Sequence, residues 1–143
     1  MPTEDPDTGN TLPLVVVDAA NVVGSVPDGW WRDRRGAAER LRDSLVPYAT
    51  DGLPPIRGPV ELVLVVEGAA RGVAPVPGVR VESAPGSGDD LIARLVATEA
   101  ARDPGRLCVV VTADRGLRQR VEAHRARCVG PRTVRPTPPS RLS

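Results

Sequence analysis

Leu14-Val15-Val16-Val17-Asp18-Ala19-Ala20-Asn21 is the stretch that decides the fold. Four apolar residues in a row, three of them β-branched, make a run too short for a helix and too unbroken for a strand with one wet face. It therefore reads as a central strand buried on both sides of a parallel sheet. In such sheets ligands bind beyond the carboxyl ends of the strands, which is where Asp18 stands. The unit recurs late in the chain as Val109-Val110-Val111-Thr112-Ala113-Asp114, and a third apolar run at 60–66 ends in Glu67-Gly68.

Outward from this strand, a loop over 21–29 leads to a helix over 31–48 that places Ala37, Ala38, Leu41, Leu45 and Val46 on one face. A Pro/Gly linker at 51–59 separates it from the strand at 60–66. Residues 79–82 alternate like a short edge strand. Ser87-Gly88-Asp89-Asp90 opens a helix carrying Leu91, Ile92, Leu95 and Val96, and Asp103-Pro104-Gly105 closes it. A strand at 107–111, a basic helix at 115–125 with Leu117 and Val121 inward, and a short strand at 127–129 complete the pattern. Alternating strands and helices imply an α/β fold: a three-layer α/β/α sandwich around a mostly parallel sheet. Right-handed crossovers predict strand order 3-2-1-4-5, with strands one and four adjacent and Asp18 and Asp114 flanking one crevice. At 143 residues this is one domain, expected over 12–135, between Pro- and polar-rich tails at 1–11 and 136–143 that read as disordered.

The net charge of +1 conceals an asymmetry, because the chain has no lysine and residues 115–135 carry seven arginines against one glutamate, Glu122. The missing Lys and Phe match the codon bias of a GC-rich genome, so arginine usage alone says little about function. Cys108 and Cys128 are spaced as neither a metal knuckle nor a redox pair and read as small buried thiols. The acidic N-terminus is unlike a secretory signal, and no apolar run nears the ~20 residues of a membrane span. The expectation is a cytoplasmic protein without membrane contact.

Each acid has an ordinary structural use. Asp18 with Asn21 suits a turn, Ser87-x-x-Asp90 a capping box, Asp114 an N-cap, and Glu67 a loop position. Separately, those uses do not explain why all of these carboxylates point to one crevice, where they repel one another without a cation. Oxygen-only donors suit Mg²⁺ or Mn²⁺. Zinc prefers His or Cys, and the one histidine, His124, lies far along the basic helix. One such ion, or a pair about 4 Å apart, can activate water for in-line attack on a phosphodiester. On this reading Asp18 is the central ligand, Asp89 and Asp114 complete the set, and Asp90 and Glu67 are supporting or second-ion candidates. Asn21 and Thr112 orient an acid, a water or a phosphate oxygen.

Val15-Val16-Val17-Asp18-Ala19-Ala20-Asn21, Gly88-Asp89-Asp90-Leu91-Ile92, Val109-Val110-Val111-Thr112-Ala113-Asp114-Arg115 and Val129-Gly130-Pro131, in that order, resemble the motifs of the PIN-like nucleases, specifically the NYN-domain, YacP-like group. The resemblance covers roughly residues 12–134. Ala19 stands where a glycine is more usual, Glu67 where an aspartate is common, and Arg127 where a glycine often precedes the last strand. The resemblance implies a PIN-like α/β/α fold, Mg²⁺- or Mn²⁺-dependent ribonuclease activity and an RNA substrate.

Arg115, Arg118, Arg120, Arg125 and Arg127 follow the acidic site, and Arg32, Arg34 and Arg35 follow Trp30-Trp31. Arg34, Arg35, Arg115 and Arg118 are the candidates for tracking the phosphates of a single strand, although a solvated helix face has the same composition. One tryptophan is expected to pack beneath the helix, with Trp31 slightly favoured, leaving Trp30 to stack on a base. A homodimer is compatible with the chain. The rival from another class is an RNA-binding or regulatory PIN-like module without turnover. An Asp-x-Asp phosphatase lacks its second acid, since Ala20 occupies that place; a receiver domain needs a lysine; and a dinucleotide site needs a glycine fingerprint absent after strand one.

Overall fold

The computed structural model describes residues 12–135, so the expected tails at 1–11 and 136–143 lie outside the described residues. Its centre is β1 (Leu14–Asp18), every residue of which is buried. β1 runs parallel to β4 (Glu61–Val66) on one side and to β6 (Cys108–Val111) on the other, with Leu14 opposite both Glu61 and Cys108. β5 (Val79–Ser83) pairs in parallel outside β4, and β7 (Arg127–Val129) outside β6.

The sheet order is β5-β4-β1-β6-β7. It differs from 3-2-1-4-5 in detail because a small antiparallel hairpin, β2 (Gly52–Leu53) with β3 (Ile56–Arg57), forms in the segment read as a linker. The five strands of the large sheet, taken by themselves, keep the expected succession. Gly52 makes the hairpin possible: its φ is +77°, and a Cβ there would lie 2.3 Å from the Gly58 amide nitrogen.

Strand alternation divides the core into two layers. Val15, Val17, Leu62, Leu64 and Val66 face α1 (Ala19–Gly24) and α2 (Arg34–Asp51), where Ala37, Ala38, Leu41 and Leu45 are buried. Val16, Val63, Val65 and Val110 face α3 (Gly88–Arg102) and α4 (Arg115–Glu122) through Ile92, Val96, Leu117 and Val121. Burial on both faces is why the strands read as continuous apolar runs.

Four expectations are corrected. Residues 19–24 are a helix, not the start of a loop, because Asp18 caps them and Ala19, Val22 and Val23 are buried. The second helix begins at Arg34, where the Asp33 carboxylate accepts from the Gly36 amide at 2.9 Å, while Trp30–Arg32 form a separate 3-10 turn. Val46 is exposed, since it follows Leu45 by about 100° around the helix and leaves the inward face. The basic helix likewise stops at Glu122, and Arg125, at φ 67°, turns the chain back toward β7. Among the described residues no helix is long and apolar enough to cross a membrane.

At the amino-terminal end of the sheet lies an ion cluster that the sequence analysis did not single out. Arg106, its side chain 3% exposed, donates to the Leu12 carbonyl at 2.7 Å, to Glu61 Oε1 at 2.7 Å and to Glu99 Oε2 at 3.1 Å. Arg80 and Arg102 hold the same two glutamates from outside. Removing only the central cation leaves two carboxylates short of a partner, the costly way to break a buried pair. Arg106→Met should therefore lower stability by about 3 kcal/mol. The measurement is the urea midpoint at unchanged slope, and an unmoved midpoint would show that the outer arginines suffice.

Candidate functional site

At the opposite end, β1 and β6 deliver their last residues side by side, and hydrogen bonds tie the two strand-to-helix junctions together. Asp18 is 4% exposed, and its Oδ2 accepts from the Thr112 hydroxyl at 2.9 Å. Thr112, fully buried, accepts in turn from the Asp114 amide at 3.1 Å. Asn21 Oδ1 accepts from the Ala113 amide at 2.8 Å, which fastens α1 to the same turn. Asp114 Oδ1 accepts from the Leu117 amide at 2.8 Å and caps α4.

Glu67 follows β4 and reaches across to the next helix, where its Oε1 accepts from the Gly88 amide at 2.7 Å. A Cβ on residue 88 would lie 2.5 Å from that oxygen, so the contact requires glycine. Ser87 caps α3 through the Asp90 amide, as the capping-box pattern predicted. Asp18, Asn21, Glu67, Asp89 and Asp114 then line one open crevice together with Ala20 and Ser87. Asp90, expected among them, is not brought there. It lies one residue further around α3, is exposed, and pairs with Arg120 at 3.0 Å.

The charges in the crevice oppose one another. Burial pushes the Asp18 carboxyl up to about 6 against the Thr112 hydrogen bond, and the negative charges of Asp89 and Glu67 add to the rise. Asp89 is raised by burial, then by Asp114 and Glu67, with Arg120 offsetting part. Among the described residues, no cationic residue lines the crevice. The amino ends of α1, α3 and α4, capped by Asp18, Ser87 and Asp114, are the partial positive charges that face it.

Among the described residues, no three His, Cys, Asp or Glu side chains converge tightly enough to wrap an ion directly. The donors are instead all oxygen and spread around an open hollow, and Asp114 Oδ2 and Glu67 Oε2 accept no hydrogen bond within the described structure. That set fits a hard cation that keeps several of its waters, as Mg²⁺ and Mn²⁺ do, and fits neither zinc nor a dehydrated cage.

The candidate nucleic-acid residues divide. Arg115 is exposed beside Asp114 at the start of α4. Arg118 is half-buried, and among the described residues its Nε has no hydrogen-bond partner. Arg35 is engaged with the Arg71 and Gly72 carbonyls at 2.8 and 3.0 Å, a structural use that the sequence reading missed. Arg34 lies 5.3 Å over the ring of Trp30. The slight preference for Trp31 as the packed tryptophan is reversed: Trp31 is 50% exposed, and Trp30 packs against the core. The reason is the 3-10 turn, which directs residue 30 toward Ala19 and Val23. Cys108 and Cys128 are free thiols, buried and half-buried, and burial raises both.

The raised carboxyl has a thermodynamic sign. Asp18 titrates at about 6 when folded, against 3.8 as an ordinary carboxyl, so the metal-free folded state binds its proton more tightly than the unfolded chain does. Stability is lost as pH rises from about 4 to about 6 and stays lower above that, by about 3 kcal/mol. Asp18→Asn keeps an acceptor for Thr112 and loses only the long 3.5 Å contact with the Asn21 amide. In the absence of metal the variant should exceed the wild type by up to about 3 kcal/mol near pH 7.5 and match it near pH 4. Denaturant titrations at the two pH values measure this, and an equal difference at both would contradict the assignment.

No family model matches the chain, and no curated protein matches it. Among solved structures, Rae1 (YacP) from Bacillus subtilis is similar with a TM-score of 0.67 at 17% identity, over 86% of this chain and 71% of that one. A point mutant of the same protein gives 0.64 at 17% identity, over 86% and 72%. At this identity the likeness concerns the fold, and the fold is the one that the resemblance to the YacP-like group implied: the chain shares the α/β/α architecture of Rae1 (YacP).

Proposed function

We propose that the protein is a ribonuclease that hydrolyses RNA phosphodiester bonds with Mg²⁺ or Mn²⁺ held by Asp18, Asp89 and Asp114, acting in the cytoplasm. The observation that carries this reading is the gathering of four carboxylates, Asp18, Glu67, Asp89 and Asp114, from four separate strand-to-helix junctions on one crevice with no cationic residue among the described residues in its lining. The motifs shared with the YacP-like nucleases and the fold shared with Rae1 (YacP) support it.

When bound, the ion supplies charge neutralisation and a water of lowered pKa. The protein's own groups do the rest. Thr112 donates to Asp18 and so favours its ionised form, the form able to bind a cation. Asn21 and Thr112 hold the 112–114 turn, which aims Asp114 at the crevice while α4 consumes one of its oxygens. Arg115, exposed next to that turn, is placed to meet an RNA phosphate.

Asp18→Asn, Asp89→Asn and Asp114→Asn should each reduce Mn²⁺-dependent cleavage of a single-stranded RNA by about 100-fold or more. Arg115→Ala should weaken RNA binding and flatten its salt dependence by roughly 0.7 in log–log slope, leaving the metal-induced rise in Tm intact. Cleavage at wild-type rates in all three aspartate variants would end the proposal. The second reading, an RNA-binding module without turnover, draws on the lack of a compact ligand triad among the described residues. RNA binding with no Mn²⁺-dependent cleavage by the wild type would favour it.

A further inference from the structure

Beside the acidic crevice is a second hollow, a cavity of about 80 Å³ between α1, α2 and the 3-10 turn Gly68–Ala70. It exists because the residues around it are small: Ala19, Ala20, Ala38, Gly68 and Ala70 make up five of its nine lining residues. One wall is the indole of Trp30, held by the core beneath it and by an edge-to-face contact with Trp31 at 5.8 Å. Arg34 also lines the hollow, its guanidinium 5.3 Å over the Trp30 ring. Arg35 bonds the Arg71 and Gly72 carbonyls and so fixes the turn that forms the facing wall. Ala20 and Glu67 line both this hollow and the crevice, so the two share a rim.

An open hollow of this size with one aromatic wall, a cation over that wall and a carboxylate on its rim fits part of a flat ring with apolar faces, a polar edge and an attached anion, the rest of the ring staying outside. Its continuity with the crevice places that anion over the acids. We propose that the hollow is a nucleobase subsite, in which one unstacked base of single-stranded RNA, next to the phosphate over the crevice, lodges part of its ring against Trp30 while Glu67 reads its polar edge. The inference rests on the RNA-cleaving reading above and adds the subsite. Glu67 Oε1 is taken by the Gly88 amide, leaving Oε2 as an acceptor alone. It accepts from the exocyclic amine of adenine, cytosine or guanine, whereas uracil offers it only the N3–H, flanked by two carbonyls that the carboxylate repels, so amino-bearing bases are preferred.

The test uses short single-stranded oligoribonucleotides carrying one 2-aminopurine, bound in Ca²⁺ to suppress cleavage. The wild type and Trp31→Phe should quench the probe at one position along the strand. Ala70→Leu, which fills the hollow, and Trp30→Leu, which removes its aromatic wall, should abolish the quench and raise Kd about tenfold. Since Ala70 is buried, Ala20→Leu, at an exposed position on the rim, serves as a second filling variant, with thermal melting as the check on folding. Glu67→Gln should bring uracil-containing strands closer to the affinity of the others. Quenching that survives in folded Ala70→Leu and Ala20→Leu, or that is equal at every position, would overturn the pocket. Mn²⁺-dependent cleavage by the wild type with an unchanged KM in both filling variants would overturn it while leaving the ribonuclease standing. Positional quenching without cleavage would leave the pocket and remove the ribonuclease.

Discussion

The Thr112 hydroxyl is the joint on which the site depends. It donates to Asp18 at the end of β1 and accepts from the Asp114 amide after β6, so one buried oxygen sets the spacing between the two central acids. The joint forms only where β1 and β6 are neighbours in register, with Val17 opposite Val111 and the next residue of each strand free of further pairing between the two. That adjacency follows from the sheet reversing direction at β1, where successive crossovers run first to one side and then to the other. Apolar packing on both faces holds the strands in that order, and the polar chemistry occupies the gap left between them.

The ordinary and the functional uses of the acids turn out to be compatible. Asp18, Ser87 and Asp114 each cap a helix, and those helices all begin at the crevice. Capping needs a short oxygen-bearing side chain at the end of a strand, and so does a cation site beyond the strand ends. One carboxylate can serve both because its two oxygens carry about four lone-pair sites between them. The helix amino ends also temper the repulsion among the carboxylates, although the raised Asp18 and Asp89 show that they do not remove it.

Much of this was legible in the chain because buried parallel strands leave uninterrupted β-branched runs, and each run here ends in an acid. The succession of the five sheet strands, the inward faces of α3 and α4 and the capping role of Ser87 follow from spacing alone. What escaped was set by tertiary contact. The 19–24 helix carries no turn signal that separates it from a loop, and the choice between Trp30 and Trp31 depends on a 3-10 turn whose phase no periodicity reveals. Asp90 stands next to Asp89 in sequence, yet a helix turns about 100° per residue, which is enough to send it to Arg120. Arg106 is one arginine among many, and only the fold shows that it is the buried one. An arginine after Gly105 and just before an apolar strand was the available signal.

The bond from Glu67 to the Gly88 amide, and that from Asp114 to the Leu117 amide, limit the denticity of the crevice. A carboxylate with one oxygen engaged by a backbone amide presents its other oxygen more freely, so bidentate binding by either acid would compete with a hydrogen bond that starts a helix. On the proposed metal-binding reading, the protein would fill few coordination positions and leave most of an ion's inner sphere to water or substrate. Calcium, which favours six to eight oxygens and readily takes bidentate carboxylates, finds little here that it prefers. A smaller ion content with a mostly aqueous shell finds anchoring without stripping. On that reading, selectivity among divalent cations would come from withholding oxygens, through hydrogen bonds whose visible task is to start two helices.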